Sequence, residues 1–322
     1  MSGFGYRISD GQGERVDIKD ALGETPERAP DVTWVHLTTN DERAQTWLTE
    51  RAGLDRYIVD ALTATETRPR CEQFGHGALL NLRGRSDEEL ATSDLLASVR
   101  IWAEKGHVYS VTRKSMIAIG AVETAVGKGE VRDPGDLIAA FAAAITEDLD
   151  PQVADLGDQL DVCEQALDAD RVFELRRTVT RVRVAAIGYR RFLAPQRAAL
   201  ERLAALPGDW LQADDRLKLS AAADRAARMV EELESIRERS ALMHEALTDL
   251  RAEQLDSRSL IIAIVAMVFL PLTFITGLYG MNVKTLPYAD QPWSFDAIMA
   301  ACVLIAAGIT IYFVRRHWLG RG

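Results

Sequence analysis

The residues best placed to do chemistry lie in the tract GLYGMNV, residues 277–283, at the end of a long uncharged run. Gly277 and Gly280 lack side chains and therefore let other backbones approach closely. The turn after the run can present the carbonyl and side-chain amide of Asn282 to an ion. Uncharged oxygens suit a cation that keeps its water shell, as Mg²⁺ tends to do. We therefore predict that the turn from Gly277 to Asn282 forms an entrance for a hydrated metal ion, with Asn282 as the metal contact.

Two uncharged runs near the C-terminus are long enough to cross a bilayer. Residues 259–283 contain no Asp, Glu, Lys or Arg, and about 25 residues at about 1.5 Å each exceed a hydrocarbon core of roughly 30 Å. Residues 297–314 are also uncharged, and Trp293 and Phe295 before them suit the membrane interface. We predict transmembrane helix 1 over residues 259–283 and transmembrane helix 2 over residues 297–314. The length of both runs disfavours the alternative of buried core helices.

The charges beside these runs predict the side of the membrane on which each segment lies. Arg315, Arg316 and Arg321 belong to a basic tail, residues 315–322, which the positive-inside rule places in the cytoplasm. The loop over residues 284–296 has one lysine against two aspartates and is predicted to be extracytoplasmic. We therefore expect a multi-pass protein of the inner (plasma) membrane with both termini in the cytoplasm.

Residues that often serve as nucleophiles or metal ligands are scattered along the chain. Cys71, Cys163 and Cys302 form no CxxC pair and fit reduced thiols better than disulfides. The five histidines show no zinc-ligand spacing. No Gly-rich phosphate loop or nucleophile elbow is present, so we assign no catalytic residue and expect neither an enzyme nor a tightly bound cofactor.

Residues 1–148 are predicted to form a cytoplasmic α/β domain, because strand-like and helix-like patterns alternate there. Asp133 and Pro134 are typical of the cap and first position of a helix. We interpret the charged cluster in ETRPRCE (Glu66, Arg68, Arg70 and Glu72) as a network of salt bridges in a loop. The predicted strands are 32–37, 76–84 and a hairpin over 95–113 that turns near 104–106, and the predicted helices are 41–52, 55–63, 115–126 and 134–149.

Residues 149–258 are predicted to form a helical stalk, an antiparallel helix pair followed by a long helix that begins near Asp214. No helix breaker separates this third helix from the first span, so one helix of roughly 65 residues and about 95 Å is expected. We expect the two preceding helices and copies of the same helix to cover its apolar seam, which predicts an oligomer. The seam is Leu219, Ala222, Ala226, Met229, Leu233, Ile236, Ser240, Met243, Leu247 and Leu250.

In an oligomer whose first spans surround an axis, one stripe of each span faces the centre. Glu245 and Asp249 extend that stripe on the cytoplasmic side, where symmetry turns each carboxylate into a ring that attracts cations. The alternative, that these acids are only solvated positions of the stalk, stays open. The predicted pore-lining residues are Asp256, Ser259, Ile262, Ala266, Leu270, Thr273 and Gly277.

The order of these features resembles the CorA superfamily of divalent metal-ion transporters. YGMN directly follows a proline-bearing span in FLPLTFITGLYGMN, and a short loop, a second span and a basic tail come after it. Other stretches are similar to the ZntB-like zinc-transport branch, namely ETRPRCEQFG, SVRIW, YRRFLAPQRAAL and LPYADQPWSF. The resemblance covers essentially the whole chain.

This resemblance implies a homopentameric funnel in the lipid bilayer, in which each chain gives an α/β cytoplasmic domain, a coiled-coil stalk and two transmembrane helices. It also implies that Gly280, Met281 and Asn282 form the selectivity motif at the pore entrance. It implies transport of Zn²⁺, with Co²⁺, Ni²⁺, Cd²⁺ or Mg²⁺ as further ions, and uptake coupled to a proton gradient. The formal net charge of −10 suits an acidic funnel that concentrates cations. No nucleic-acid partner is expected.

Two other functions remain open at this stage. One is a CorA-type channel for magnesium, cobalt or nickel that the membrane potential drives. The other is a membrane-anchored coiled-coil receptor or adaptor, which would share the stalk and the spans but would not need YGMN.

Overall fold

A computed structural model of the chain describes residues 2–23, 29–38, 42–65, 68–86, 96–168, 171–281, 287 and 291–317. The chain divides into two compact units. The first comprises Met1–Leu167 and Phe173–His244, and the second comprises Asp168–Val172 and Glu245–Gly322. The division falls inside one continuous helix, which therefore belongs to both units.

A mixed sheet organises the first unit. Within the described ranges it has seven strands in the order β2-β1-β3-β7-β6-β5-β4, and every neighbouring pair is antiparallel except β3 and β7. A parallel pair needs a long crossover connection, and the chain between β3 and β7 supplies it. The strands are β1 Gly3–Ser9, β2 Gln12–Val16, β3 Val32–Leu37, β4 Arg70–Phe74, β5 Gly77–Gly84, β6 Ala97–Glu104 and β7 His107–Thr112.

The predicted strands at 32–37, 76–84 and 95–113 are confirmed as β3, β5 and the β6–β7 hairpin. Glu104 pairs with His107, and Gly106 adopts a φ of 80° in the two-residue turn between them. A positive φ is a conformation that glycine adopts without strain, and tight hairpin turns require it. The Gly-containing break in the sequence therefore located this turn correctly.

The interpretation of ETRPRCE as a loop is wrong for its described second half, since Arg70–Phe74 is the edge strand β4. Its pairing with β5 overrides a charged and only weakly alternating sequence. The expected ion pair between Arg70 and Glu72 is present at 3.5 Å. Glu66 lies outside the described residues.

Helices cover both faces of the sheet. On one face, α2 and α3 pack against buried residues that include Val35, Leu79 and Tyr109. On the other face, Phe141 of α5 meets Trp34 edge to face at a centroid distance of 5.5 Å. The helices are α1 Ile18–Ala21, α2 Glu42–Glu50, α3 Arg56–Thr63, α4 Ile117–Gly127, α5 Pro134–Gln165, α6 Val172–Ala204, α7 Ala213–Tyr279 and α8 Ser294–His317.

Helix α5 corrects the sequence-based boundary near residue 149. The cap at Asp133 is confirmed, because its side chain accepts a hydrogen bond from the Asp136 backbone N–H. The helix does not end at Leu149 but extends to Gln165, so that it has 32 residues in all and contains Pro151. Buried residues on both sides of the proline, among them Leu149 and Val153, hold the helix together despite the missing N–H. The domain boundary predicted at residue 148 falls within this helix and stays a prediction.

The long third helix is confirmed as α7, which has 67 residues. Its seam is buried within the single chain from Leu219 to Met243. Ion pairs flank the seam: Arg239 contacts Glu164 of α5 at 2.7 Å, and Arg190 of α6 contacts Glu234 at 2.5 Å. The two preceding helices therefore cover these residues. The expected cover by the two preceding helices is confirmed for these residues, whereas cover by copies of the helix stays a prediction for which this seam gives no support.

The N-termini of α5 and α7 meet through two buried aspartates. Asp215 accepts a hydrogen bond from the Gln212 N–H at 2.8 Å, and Asp136 accepts one from Lys218 at 2.8 Å. Burial acts to raise the pKa of Asp136, but the hydrogen bonds from Arg132 and Lys218 outweigh it and hold this pKa below its usual value. Burial, together with the charges of nearby aspartates, raises the pKa of Asp215 to about 6. Of the two carboxyl groups, Asp215 is therefore the one that takes up a proton first as the pH falls.

Asp215→Asn should remove a pH dependence of stability. With a raised pKa, Asp215 contributes stability that is fully present below its unfolded pKa of 3.8 and is lost as pH rises through about 6. The Asn side chain can accept from Gln212 and donate to Asp136 without ionising. We therefore expect the free energy of unfolding of the variant to exceed that of the wild type by on the order of 1–3 kcal/mol at pH 7.5. At pH 4 we expect no such gain.

Thermal unfolding of the detergent-solubilised chain between pH 4 and pH 8 measures this difference. Asp224→Asn, an exposed position of α7, is the matched control and should follow the wild type. If the unfolding temperature of Asp215→Asn differed from that of the wild type by the same amount at every pH, the raised pKa of Asp215 would be contradicted.

Candidate functional site

Two helices of the second unit have the length and composition to cross a membrane, the C-terminal part of α7 and α8. None of the most apolar 18-residue segment of α7 is buried inside the chain, and only 11% of that of α8 is. A core helix of a soluble protein would be mostly buried, so the core-helix alternative fails. The helical part of the first span ends at Tyr279, four residues before the predicted limit at residue 283.

Each of these helices has one sheltered face. The sheltered positions recur at spacings of three and four, which is the repeat of a single helical face. Helix α8 follows α7 in the chain and belongs to the same compact unit. We therefore infer that the sheltered faces of α7 and α8 pack against each other in a helical hairpin. They are the half-buried Leu260, Ile264, Val268, Leu272, Ile275 and Tyr279 on α7, and Ile298, Ala301, Cys302, Ile305 and Ile309 on α8, of which Cys302 is fully buried.

The predicted pore-lining residues lie on the opposite face of α7. A rotation of about 100° per residue puts Thr273 about 200° from the sheltered Ile275. Every residue of the stripe is exposed, including Ile262 at 70% and Leu270 at 76%. A Cβ added to Gly277 would meet nothing within 4 Å in this chain. The hairpin therefore leaves this stripe uncovered, and intrachain packing gives no reason for the glycine.

The threonines of the span present acceptor oxygens. The Thr273 hydroxyl donates to the Phe269 carbonyl at 2.8 Å, and the Thr276 hydroxyl donates to the Leu272 carbonyl at 2.9 Å. Each hydroxyl proton is thereby used within the helix, and the lone pairs of the oxygen remain. Thr273 consequently offers the stripe an uncharged acceptor, which suits a cation or its hydration water.

The end of α7 is a tight turn. The Gly280 N–H donates to the Thr276 carbonyl at 2.9 Å, and a Cβ on Gly280 would lie 3.1 Å from that same oxygen. Glycine is thus favoured at this position by the last turn of the helix itself. Met281 is 53% exposed, and the Tyr279 hydroxyl donates to the Pro287 carbonyl at 3.4 Å. Asn282 lies outside the described residues, so its role as the metal contact stays a prediction.

The cytoplasmic acids of α7 form a longer line than the sequence analysis identified. Glu245, Asp249 and Asp256 are exposed as expected. Glu231 and Glu238, which lie fourteen and seven residues before Glu245, are exposed as well. A seven-residue repeat of Glu231, Glu238 and Glu245 in the sequence is the signal that could have identified the two additional acids. The structure places all of these acids on the solvent-exposed side of α7, and the acidic rings stay a prediction.

Other potential metal ligands already have structural roles. His36 is buried beside Ser110, and burial lowers its pKa to about 4, so it is a neutral hydrogen-bonding residue. All three cysteines are free and buried. One ligand atom each of Asp133, Asp136 and Asp215 lies within 4.8 Å of the others, and this is the described group with metal-like spacing. Helix capping, together with Lys218 and Arg132, accounts for these carboxylates.

In this chain one long helix connects a soluble α/β unit to two membrane-length helices. This architecture defines an integral membrane protein. From Ser259 to Gly277 the uncovered face of the long helix carries only weak, neutral ligands. The family described as CorA-like Mg²⁺ transporter protein matches residues 30–316. The chain therefore belongs to the CorA family. Membership of a family of ion transporters also confirms that the chain is not an enzyme.

Relatives and solved structures refine this placement. The chain is 32% identical to the divalent cation transporter CmaX of Pseudomonas aeruginosa over 98% of this chain and 96% of that one. It is 29% identical to the zinc transport protein ZntB of Pectobacterium atrosepticum over 89% and 88% of the two chains. The full-length CmaX structure matches with a TM-score of 0.78 and 28% identity over 97% of each chain. The CorA magnesium transporter of Methanocaldococcus jannaschii, at 18% identity, shares the fold over 99% of each chain with a TM-score of 0.80.

The uncovered stripe of α7 should be reachable from water in the assembled protein. We expect Thr273→Cys to react with a charged, membrane-impermeant thiol reagent at least tenfold faster than Leu304→Cys. Leu304 is 72% exposed on the outward face of α8 and would then face lipid, where a thiol stays protonated and unreactive. Labelling of the two variants in proteoliposomes, corrected for the wild type, measures the ratio. Equal rates would place the stripe in lipid.

Proposed function

We propose that this chain is a divalent metal-cation transporter of the inner membrane that carries Zn²⁺. Co²⁺, Ni²⁺, Cd²⁺ and Mg²⁺ are the further ions that the same path would admit. The observation that carries the proposal is the exposed stripe of α7, uncharged from Ser259 to Gly277, in a chain of the CorA family. A receptor or adaptor anchored by two helices would have no use for a threonine oxygen and a glycine on the face that its own hairpin leaves uncovered.

Five copies of the chain would surround an axis lined by α7. The support is the uncovered stripe, together with Gly277, which no contact within the chain requires. Glycine in a helix costs roughly 1 kcal/mol relative to alanine, so a close helix neighbour in the assembly is a reason to retain it. Asn282 of each copy would then form the outer entrance.

The weak ligands of the path define how the ion would move. A site that strips and holds Zn²⁺ needs thiolate, imidazole or carboxylate ligands in a tetrahedral set. The stripe provides such a group only at its cytoplasmic end, in Asp256. The ion would therefore cross the span largely hydrated, past Thr273 and Ser259, and selectivity would be poor. Mg²⁺ would compete for the same path.

Charge would act at the two ends of the path. The acids of α7 at Glu231, Glu238, Glu245 and Asp249 would concentrate cations in the cytoplasmic funnel without chelating them. The basic tail after α8 supports an orientation with both termini in the cytoplasm. Proton-coupled uptake is part of the proposal, as the resemblance of the sequence to the ZntB-like branch implies.

Flux of Zn²⁺, Co²⁺, Ni²⁺ and Mg²⁺ at equal concentration into proteoliposomes tests the proposal. We expect Zn²⁺ to enter and an inward proton gradient to increase its initial rate. If Mg²⁺ crosses readily, Zn²⁺ does not and the gradient changes nothing, the chain is instead a magnesium channel of the kind that the family description names. Flux of none of the four ions would leave the receptor or adaptor in place of the transporter.

The variant Asn282→Ala connects this flux to the predicted entrance. We expect at least a tenfold loss of initial rate, because the side-chain oxygens at the mouth would be absent. The chain should still assemble, since the substitution removes no apolar contact. An unchanged rate would show that the YGMN tract is only a structural turn.

Native mass spectrometry in mild detergent tests the assembly. We expect five copies in the wild type and in Asn282→Ala. Monomers or dimers at micromolar concentration would contradict the pentamer and leave the stripe of α7 without a partner.

A further inference from the structure

Three arginines converge on one face of the sheet in the soluble unit. Arg83 of β5 pairs directly with Ser98 of β6. Arg100 lies two residues beyond Ser98 and therefore projects from the same face. Arg113 directly follows β7, whose last residue Thr112 pairs with the β6 residue before Arg100. Like charges at neighbouring positions of a sheet are destabilising, so the cluster needs a compensating partner.

Arg100 is the most constrained of the three. The residue is only 2% exposed, and its Nε and Nη1 atoms have no hydrogen-bond partner. Its Nη2 donates to the Thr65 carbonyl at the long distance of 3.4 Å, and Arg113 shares that oxygen at 3.4 Å. Burial lowers the pKa of Arg100 to about 10, and the charges of Arg113 and Arg83 act in the same direction. A buried guanidinium with one shared neutral acceptor is costly to fold.

These residues line a cavity of about 410 Å³, together with Ser98, Thr65 and Lys114. None of the described lining residues is an aspartate or a glutamate. Arg83 is already engaged, because it donates to the Leu96 carbonyl at 3.3 Å and lies 4.1 Å from the Phe192 ring. Arg100 therefore forms a buried donor wall, while the exposed Arg113 and the half-buried Lys114 stand at the rim.

We propose that this cavity binds a phosphate group, either free or as the monoester of a small soluble molecule. Guanidinium groups match phosphate oxygens with paired N–H donors, and a dianion neutralises two cations at once. A volume of about 410 Å³ exceeds the need of a single halide and falls within the usual range for small-ligand pockets. Arg113 and Lys114 close the site over the anion, and Ser98 offers its hydroxyl. The Nε and Nη1 atoms of Arg100 are buried without a partner, and a rotation of this side chain toward the anion brings their N–H groups to it. The site lies in the soluble unit and is independent of the ion path.

The test is the response of the full chain in detergent to anions at pH 7.5 and constant ionic strength. Inorganic phosphate and glycerol phosphate should raise the unfolding temperature by several degrees at saturation, because a ligand bound only to the folded state stabilises it. If inorganic phosphate binds more tightly, the ligand is free phosphate. If glycerol phosphate binds more tightly, the ligand is a phosphate monoester. An equal shift with chloride would reduce the site to a halide site and overturn the proposal.

Substitutions then locate the response. Arg113→Gln changes an exposed side chain and should weaken phosphate binding at least tenfold while leaving the phosphate-free unfolding temperature unchanged. The matched control is Arg56→Gln, an arginine that is 93% exposed outside the cavity, and it should respond as the wild type does. In Arg100→Met, the unfolding temperature without phosphate should be no lower than that of the wild type, because an unpaired buried charge is removed. Its response to phosphate should be lost.

Two results would overturn the assignment. A wild-type response that persists in both Arg113→Gln and Arg100→Met would put phosphate elsewhere on the chain. No response of the wild type to any anion would mean that the chain neutralises the arginines itself, for which Glu66, Asp87 and Asp94, outside the described residues, are candidates by their positions in the sequence.

Discussion

The architecture depends on the lateral support of one helix that is 67 residues long. An isolated helix has no tertiary packing to stabilise it, so its apolar surface must be covered along its whole length. Between Leu219 and Met243 the cover is α5 and α6, and the ion pairs of Arg239 and Arg190 fasten both sides. Beyond Ser259 the described part of the chain shelters one face of α7 and leaves the opposite face exposed. The rest of that surface requires lipid or further copies of the chain.

This change of cover along α7 separates two kinds of chemistry. The stalk exposes carboxylates to water, where they act at a distance on mobile cations. The span exposes uncharged residues, among them Ile262 and Leu270, and the hydroxyl oxygen of Thr273, whose proton is already bound within the helix. Neither segment offers the dense, negatively charged ligand set of a tight metal site. An arrangement of this kind favours passage over storage, which agrees with membership of a family of ion transporters.

The soluble unit contains two clusters of charged side chains, and their charges are compensated in different ways. At the meeting of α5 and α7, Arg132 and Lys218 hold Asp136 ionised, and burial raises the pKa of Asp215 to about 6. At the other cluster, Arg100 and Arg113 share one carbonyl oxygen, that of Thr65, at 3.4 Å. The chain supplies counter-charges at the first cluster, whereas two N–H donors of Arg100 remain for the anion proposed above.

Sequence alone determined the features that rest on local signals. The uncharged runs predicted the spans, the 3.6-residue period predicted α7 through the membrane boundary, and Asp133 and Gly106 marked a helix cap and a hairpin turn. These succeed because helix periodicity, capping and turn conformation depend on residues a few positions apart. The family resemblance came from YGMN and its surroundings in the same way.

Tertiary structure alone decided what depends on residues distant in sequence. Pairing with β5 made β4 a strand, and buried neighbours carried α5 across Pro151. Packing also decided how far α5 and α6 cover the seam of α7 within one chain. The meetings of Asp136 with Asp215 and of Arg83, Arg100 and Arg113 are likewise products of packing. No local pattern encodes such contacts, because their energy arises only when the folded chain brings charges together and removes the water between them.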